Sequence, residues 1–184
     1  MPSIHTSKKI ELLKVVIFYS LMSALALAII YFFHIKVQFF GLKGLPEAYV
    51  ATFVLYILSH LFTAKTDWGE KLEEFFASLL VPISIPGILI LALSSSIGEE
   101  LLFRGVLQNL VGLIPSSIIF GLVHVPMNKV MIPWTLIAMM MGFALGGLYI
   151  YSGNLLAPVL FHFLINVLNI WTINQKYGYQ NPLP

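Results

Sequence analysis

The sequence predicts an all-α protein, a polytopic transmembrane helical bundle of roughly six to seven apolar segments. Three observations carry this. Hydrophobic residues make up 59% of the 184 and charged residues 10%, whereas a soluble domain is about 25% charged; mean hydropathy is +0.91. Apolar runs near the length of a membrane span recur along the chain. No repeat, low-complexity tract or inter-domain linker interrupts them, so residues 1–184 read as one membrane domain. Lysine and arginine exceed aspartate and glutamate by 10 to 8, a formal charge of +2, too small for a nucleic-acid surface. Cysteine is absent, which excludes disulfides, thiolate catalysis and iron–sulfur clusters. Any metal must be held by histidine, carboxylate or amide.

The first element follows a basic start with Lys8, Lys9 and Lys14. Its apolar run, Ile10 to Phe33, is about 24 residues and too long for a signal-peptide h-region, so it reads as a span. These lysines compete with Lys36 and Lys43 on the next loop and with Lys65 and Lys71 beyond it, and favour a cytoplasmic N-terminus. A loop, His34 to Glu47, leads to a second span, Ala48 to Ala64. The charged stretch Lys65 to Glu74 continues into Trp68, Leu72, Phe75 and Phe76 at helical spacing and predicts an amphipathic helix at the interface. Pro82 and Pro86 mark the start of a third span, Ile88 to Gly112. The run Pro115 to Val125 is too short to cross alone if it stops at Pro126, so it reads as a partial span. Val130 to Tyr151 and Leu155 to Ile173 complete the set. Residues 1–88 thus hold the N-terminal spans and interfacial helix, and residues 89–173 a chemically unusual core.

Charge makes that core unusual. Six acidic residues (Glu11, Glu47, Asp67, Glu70, Glu73 and Glu74) lie in loops or at span ends, whereas Glu99 and Glu100 stand inside an apolar run with Arg104, the sole arginine. Each such charge costs roughly 2.5 to 3.5 kcal/mol at a helix centre, so this face must turn away from lipid. At 100° per residue Glu100 and Arg104, four apart, lie about 40° from each other and can neutralise one another. Glu99 falls about 140° from Arg104 and has no local partner, which leaves it free for groups on other helices. An unpaired intramembrane carboxylate is functional by default, and a desolvated one suits a general base.

Two histidines stand deep in apolar sequence. His124 closes the short run, and His162 lies four residues before Asn166, which puts both on one helical face with two donors aimed at a common point, a plausible oxyanion clamp. His60, near the end of the second span, reads as an interfacial hydrogen-bonding residue; His5 and His34 look peripheral. Gly142 and Gly146 at small-xxx-small spacing, with Gly147 beside them, permit close helix approach. Met139, Met140 and Met141 read as packing residues, and Trp134, Tyr149, Tyr151 and Trp171 as interfacial anchors.

The set Glu99-Glu100-x-x-x-Arg104, Phe120-x-x-x-His124 and His162-x-x-x-Asn166, in this order on successive apolar segments, resembles the CPBP family of intramembrane proteases. That family includes type II CAAX prenyl endopeptidases and bacterial bacteriocin-processing and Abi-like immunity proteins. The resemblance covers roughly Leu89 to Ile173. It implies that Glu99 with His124 activates a water for attack on a peptide carbonyl, that His162 and Asn166 stabilise the oxyanion, and that Glu100 with Arg104 supports the site. The implied enzyme is a membrane-embedded endopeptidase acting on a membrane-associated peptide, of the CAAX-type prenylated kind in the family's name. Its partners are that substrate and the lipid bilayer, with no nucleic acid. The expected location is the plasma membrane in a bacterium, or an internal membrane such as the endoplasmic reticulum in a eukaryote. No cofactor is favoured. The alternative chemistry is zinc held by Glu99, His124 and His162 with one position open to water, although no HExxH pair is present. The alternative functions are a non-catalytic membrane immunity or scaffold protein, and a proton or ion pathway, for which no further acidic residues are spread along the spans.

Overall fold

A computed structural model of the chain describes residues 11–124 and 132–178. His5, Lys8, Lys9 and Ile10, the run's end at Val125 and Pro126, and the expected span start at Val130 lie outside the described residues. Among those described there are seven helices and no strand: α1 (Leu12–Phe32), α2 (Leu45–Lys65), α3 (Asp67–Leu80), α4 (Ile85–Val111), α5 (Leu113–Val123), α6 (Ile132–Ser152) and α7 (Leu156–Gly178). Five of them, all but α3 and α5, are long and apolar enough to cross a membrane. Large side chains such as Leu21, Phe32, Phe40, Phe53, Ile118 and Met140 face outward around them, as a lipid-facing surface requires and a water-facing one does not. The chain is an integral membrane protein.

Helix ends follow capping more closely than hydropathy. α2 begins three residues before the expected Ala48, because Pro46 is pre-set for a first turn and Glu47 meets the positive end of the helix dipole. Ser84 caps α4 by accepting from the Gly87 amide at 3.2 Å, so Pro86 lies in the first turn of the helix. The last helix runs five residues past Ile173, into polar sequence, because tertiary bonds hold its end. Asn174 donates to the Ile83 carbonyl and accepts from the Ile83 amide, both at 3.1 Å. Lys176 donates to Glu73 of α3 at 2.7 Å. The interfacial helix α3, capped by Thr66, extends beyond the charged stretch to Leu80 and buries Leu72, Glu73 and Ala77. Phe76 meets Trp134 of α6 edge-on at 5.2 Å.

α4 is the centre of the bundle: 56% of its apolar window is buried, against 11% for α1 and for α2. It packs against α1 on one side and α7 on the other, and α7 carries α2, while α5 and α6 pair closely with each other. Gly121 and Gly142 allow that pairing. A Cβ at Gly142 would lie 2.9 Å from the Ser117 carbonyl oxygen, and one at Gly121 would lie 2.7 Å from Met139 Cβ. At about 16 Å, α5 spans roughly half a bilayer core of about 30 Å, and it ends at His124.

Within α4, residues Leu101–Leu107 form a π-helical stretch directly after Glu99 and Glu100. Such widened turns are rare and concentrate at functional sites. The carbonyls it misaligns are taken up by Asn109, whose Nδ2 donates to Arg104 O at 2.8 Å and Gly105 O at 3.1 Å. In a bilayer no water would do this.

Candidate active site

The polar side chains of the core meet where α4, α5 and α7 converge, and α1 touches the same point. Glu100 is fully buried and Arg104 is 2% exposed. Arg104 Nη1 donates to Glu100 Oε1 at 3.1 Å and Nη2 donates to the Gly142 carbonyl at 3.0 Å. One turn on, Gln108 Nε2 donates to the Gly146 carbonyl at 2.9 Å. The glycines of α6 therefore serve as acceptors as well as points of close approach. The guanidinium also lies 4.6 Å from the centre of the Phe120 ring, which covers it. Phe120 packs in turn on Phe103 at 4.9 Å.

His162, on α7, presents Nδ1 to Glu100 Oε1 at 2.8 Å. His124, at the end of α5, presents Nδ1 to the Phe120 carbonyl at 2.6 Å. A carboxylate and a carbonyl are acceptors, so both rings carry their Nδ1 proton and turn Nε2 inward. Both Nε2 atoms face the same atom: Glu99 Oε2, at 3.8 Å from His124 and 3.9 Å from His162. That oxygen is buried and has no hydrogen-bond partner among the described residues. The separations exceed a direct hydrogen bond and match a span bridged by one water. Asn166, half-buried one turn beyond His162, donates to Ser95 Oγ at 3.2 Å.

Helical phase thus places Glu100 with Arg104 and turns Glu99 away from the guanidinium. His162 and Asn166 share a face, yet in this state they do not aim at a common acceptor, since one binds Glu100 and the other Ser95. Two contributors lay outside the sequence expectation. Ser95, within the run Ser94 to Ser96, orients Asn166. Tyr19 of α1, from a region without a motif of its own, donates its hydroxyl to Glu99 Oε1 at 2.9 Å. A signal was present: Tyr19 stands in mid-span, where a hydroxyl needs a polar partner, unlike Tyr31, Tyr149 and Tyr151 near helix ends. Tyr56, also in mid-span, bonds Thr172 of α7 at 2.8 Å. His60 is exposed and stacks on Tyr56 at 6.3 Å.

Carboxylate and imidazole groups thus face one another inside a helical membrane bundle. Residues 81–168 match the type II CAAX prenyl endopeptidase Rce1-like family, a stretch that includes Glu99, Glu100, Arg104, His124, His162 and Asn166. The Bacillus subtilis (strain 168) protein YpbD, itself described as uncharacterized, is 40% identical over 87 residues, 46% of this chain and 44% of that relative. The alignment therefore spans under half the length of the curated relative. No solved structure matches the chain.

Proposed function

We propose that this protein is a CAAX-type intramembrane endopeptidase in which Glu99, with His124, activates the attacking water. The observation that carries this is the buried, unpartnered Glu99 Oε2 facing two imidazole Nε2 atoms at 3.8 and 3.9 Å. A water bridging these atoms gives one proton to Glu99 Oε2 while its oxygen bonds to the scissile carbonyl carbon. His124 Nε2 accepts the water's other hydrogen bond and orients its lone pair. Negative charge then develops on the carbonyl oxygen. Asn166 offers the amide proton not used by Ser95, and His162 offers Nε2–H as an imidazolium balanced by Glu100. The C–N bond breaks as Glu99 returns its proton to the leaving amine. Glu100 and Arg104 take no part in bond changes; they fix His162 by holding Oε1 in place.

The substrate we propose is a membrane-associated peptide, of the prenylated C-terminal class that the family's description names, cut near its C-terminus. A site sunk between lipid-facing helices suits a chain that arrives from the bilayer. Zinc is the competing chemistry. Among the described residues no group of three His, Asp or Glu side chains is arranged to hold a metal ion, and the spacings around Glu99 Oε2 are wider than ligands bound at about 2.0 to 2.2 Å would adopt. We therefore derive no step through a metal. Metal content of the purified protein decides the matter: stoichiometric zinc lost in Glu99→Gln or His124→Ala would replace the glutamate mechanism.

Comparative proteomics of wild-type and Glu99→Gln cells tests the function. The expected result is a membrane peptide whose cleavage disappears in the variant. A folded Glu99→Gln protein with every cleavage and phenotype intact refutes a catalytic role and leaves an immunity or scaffold protein, because an amide cannot serve as base.

A further inference from the structure

We infer that Tyr19 of α1 is a positioning residue for the Glu99 carboxylate; this rests on the protease reading above. A carboxylate free to turn about its last torsion presents either oxygen, or both at an angle, to a water. Here one oxygen is taken. The Tyr19 hydroxyl donates to Oε1 at 2.9 Å, and Oε2 alone is left toward His124 and His162. The base is held on one side by α1 and exposed on the other to the reacting groups, which is how a preorganised group avoids reorienting during the reaction.

The chain is shaped to bring α1 this close. Gly98, immediately before Glu99, faces α1, and a Cβ there would lie 2.9 Å from Met22 Cε, 3.0 Å from Tyr19 Cδ1 and 3.2 Å from the Tyr19 carbonyl. A side chain at position 98 would push α1 away and lengthen the hydroxyl contact. Ser23 donates to the Tyr19 carbonyl at 2.8 Å. The Tyr19 ring sits edge-on to Phe18 at 5.2 Å. α1 is also outside residues 81–168, so the site is completed by an element beyond the matched region. A tyrosine that only anchored α1 would need no more than some polar partner on α4. This one binds Glu99, a buried carboxylate with no lysine or arginine beside it, where buried Glu100 has Arg104 and buried Glu73 has Lys176.

The test uses full-length protein in nanodiscs, with Tyr19→Phe and Gly98→Ala; the second keeps the hydroxyl but displaces α1. Two quantities are read. One is the infrared carboxyl band assigned to Glu99 by its loss in Glu99→Gln. The other is turnover of the peptide whose cleavage Glu99→Gln abolishes. The expected result is a shifted Glu99 band in both variants and a kcat lower by about ten- to a hundredfold, the range for a hydrogen bond to a charged group. KM should stay within about twofold, because the hydroxyl touches neither the substrate nor the oxygen that meets the attacking water. An unshifted band in a folded Tyr19→Phe protein overturns the inference. So does a wild-type kcat, or a kcat that falls only in proportion to the folded fraction. If wild-type protein shows no Glu99-dependent cleavage at all, the protease reading fails and takes the positioning role with it. A cleaving wild type with an unaffected Tyr19→Phe sinks the Tyr19 inference alone.

Discussion

Removing the Arg104 side chain should be among the most damaging single changes in this protein, and the structure allows the size to be worked out. Arg104 is 2% exposed and Glu100 is fully buried, with Nη1 and Oε1 3.1 Å apart. Arg104→Met keeps most of the volume but leaves the Glu100 carboxylate held by His162 alone, with Oε2 already unpartnered. Breaking a buried pair by taking one partner costs about 3 to 5 kcal/mol. The Gly142 carbonyl loses its donor as well, which places Arg104→Met at the upper part of that range. The double variant Glu100→Gln/Arg104→Met removes both charges while the new amide oxygen still accepts from His162 Nδ1. It should regain most of the loss and lie within about 2 kcal/mol of wild type. Equilibrium unfolding in mixed micelles, titrated with a denaturing detergent and followed by far-UV circular dichroism, measures wild type, Arg104→Met, Glu100→Gln and the double variant. An Arg104→Met cost below about 1 kcal/mol, or a double variant as unstable as the sum of its singles, would refute the assignment of this pair as the lock of the site.

Four further substitutions probe other parts of the bundle in the same assay. Gly142→Ala places a Cβ 2.9 to 3.0 Å from the Ser117 backbone and should cost about 1 to 3 kcal/mol by prising α5 from α6, whereas Gly147→Ala, with nothing within 4 Å, should stay within about 0.5 kcal/mol. Asn109→Leu leaves the Arg104 and Gly105 carbonyls without their side-chain donor; a loss of about 1 to 3 kcal/mol is expected, with faster amide exchange at residues 101–109 read by hydrogen-exchange mass spectrometry. Lys176→Met breaks a short bond to Glu73, yet the lysine is 49% exposed, so the cost should be under about 1 kcal/mol and smaller still at high salt.

The number and order of the apolar helices could be read from hydropathy because a bilayer leaves few alternatives to a helix. Their ends could not. Pro46 and Ser84 start helices by local capping, which a hydropathy pattern does not register, and the end of α7 is set by Asn174 and Lys176 bonding to distant residues. The Glu100–Arg104 pairing followed from i,i+4 spacing, since both partners lie on one helix. Contacts between helices were less legible. His124 and His162 stood out as buried polar residues, but only coordinates show that their Nδ1 atoms are occupied and their Nε2 atoms face Glu99. Tyr19 lies 80 residues away from the carboxylate it binds, in a segment with no motif, and its one trace was a tyrosine placed far from the membrane surface. The widened turn after Glu100 has no counterpart in a fixed 100° period at all.

That turn also acts on register. Residues Leu101–Leu107 close their hydrogen bonds one residue farther along the chain than an α-helix does, so the facing of everything beyond depends on this stretch and not on Glu99 and Glu100 alone. Wound as an ordinary α-helix, the same residues would leave the two carboxylates facing as they do but turn the helix beyond them. Gln108 would then leave the Gly146 carbonyl. The Glu99–Glu100 end of α4 and its docking to α6 are thus set separately, by the winding between them.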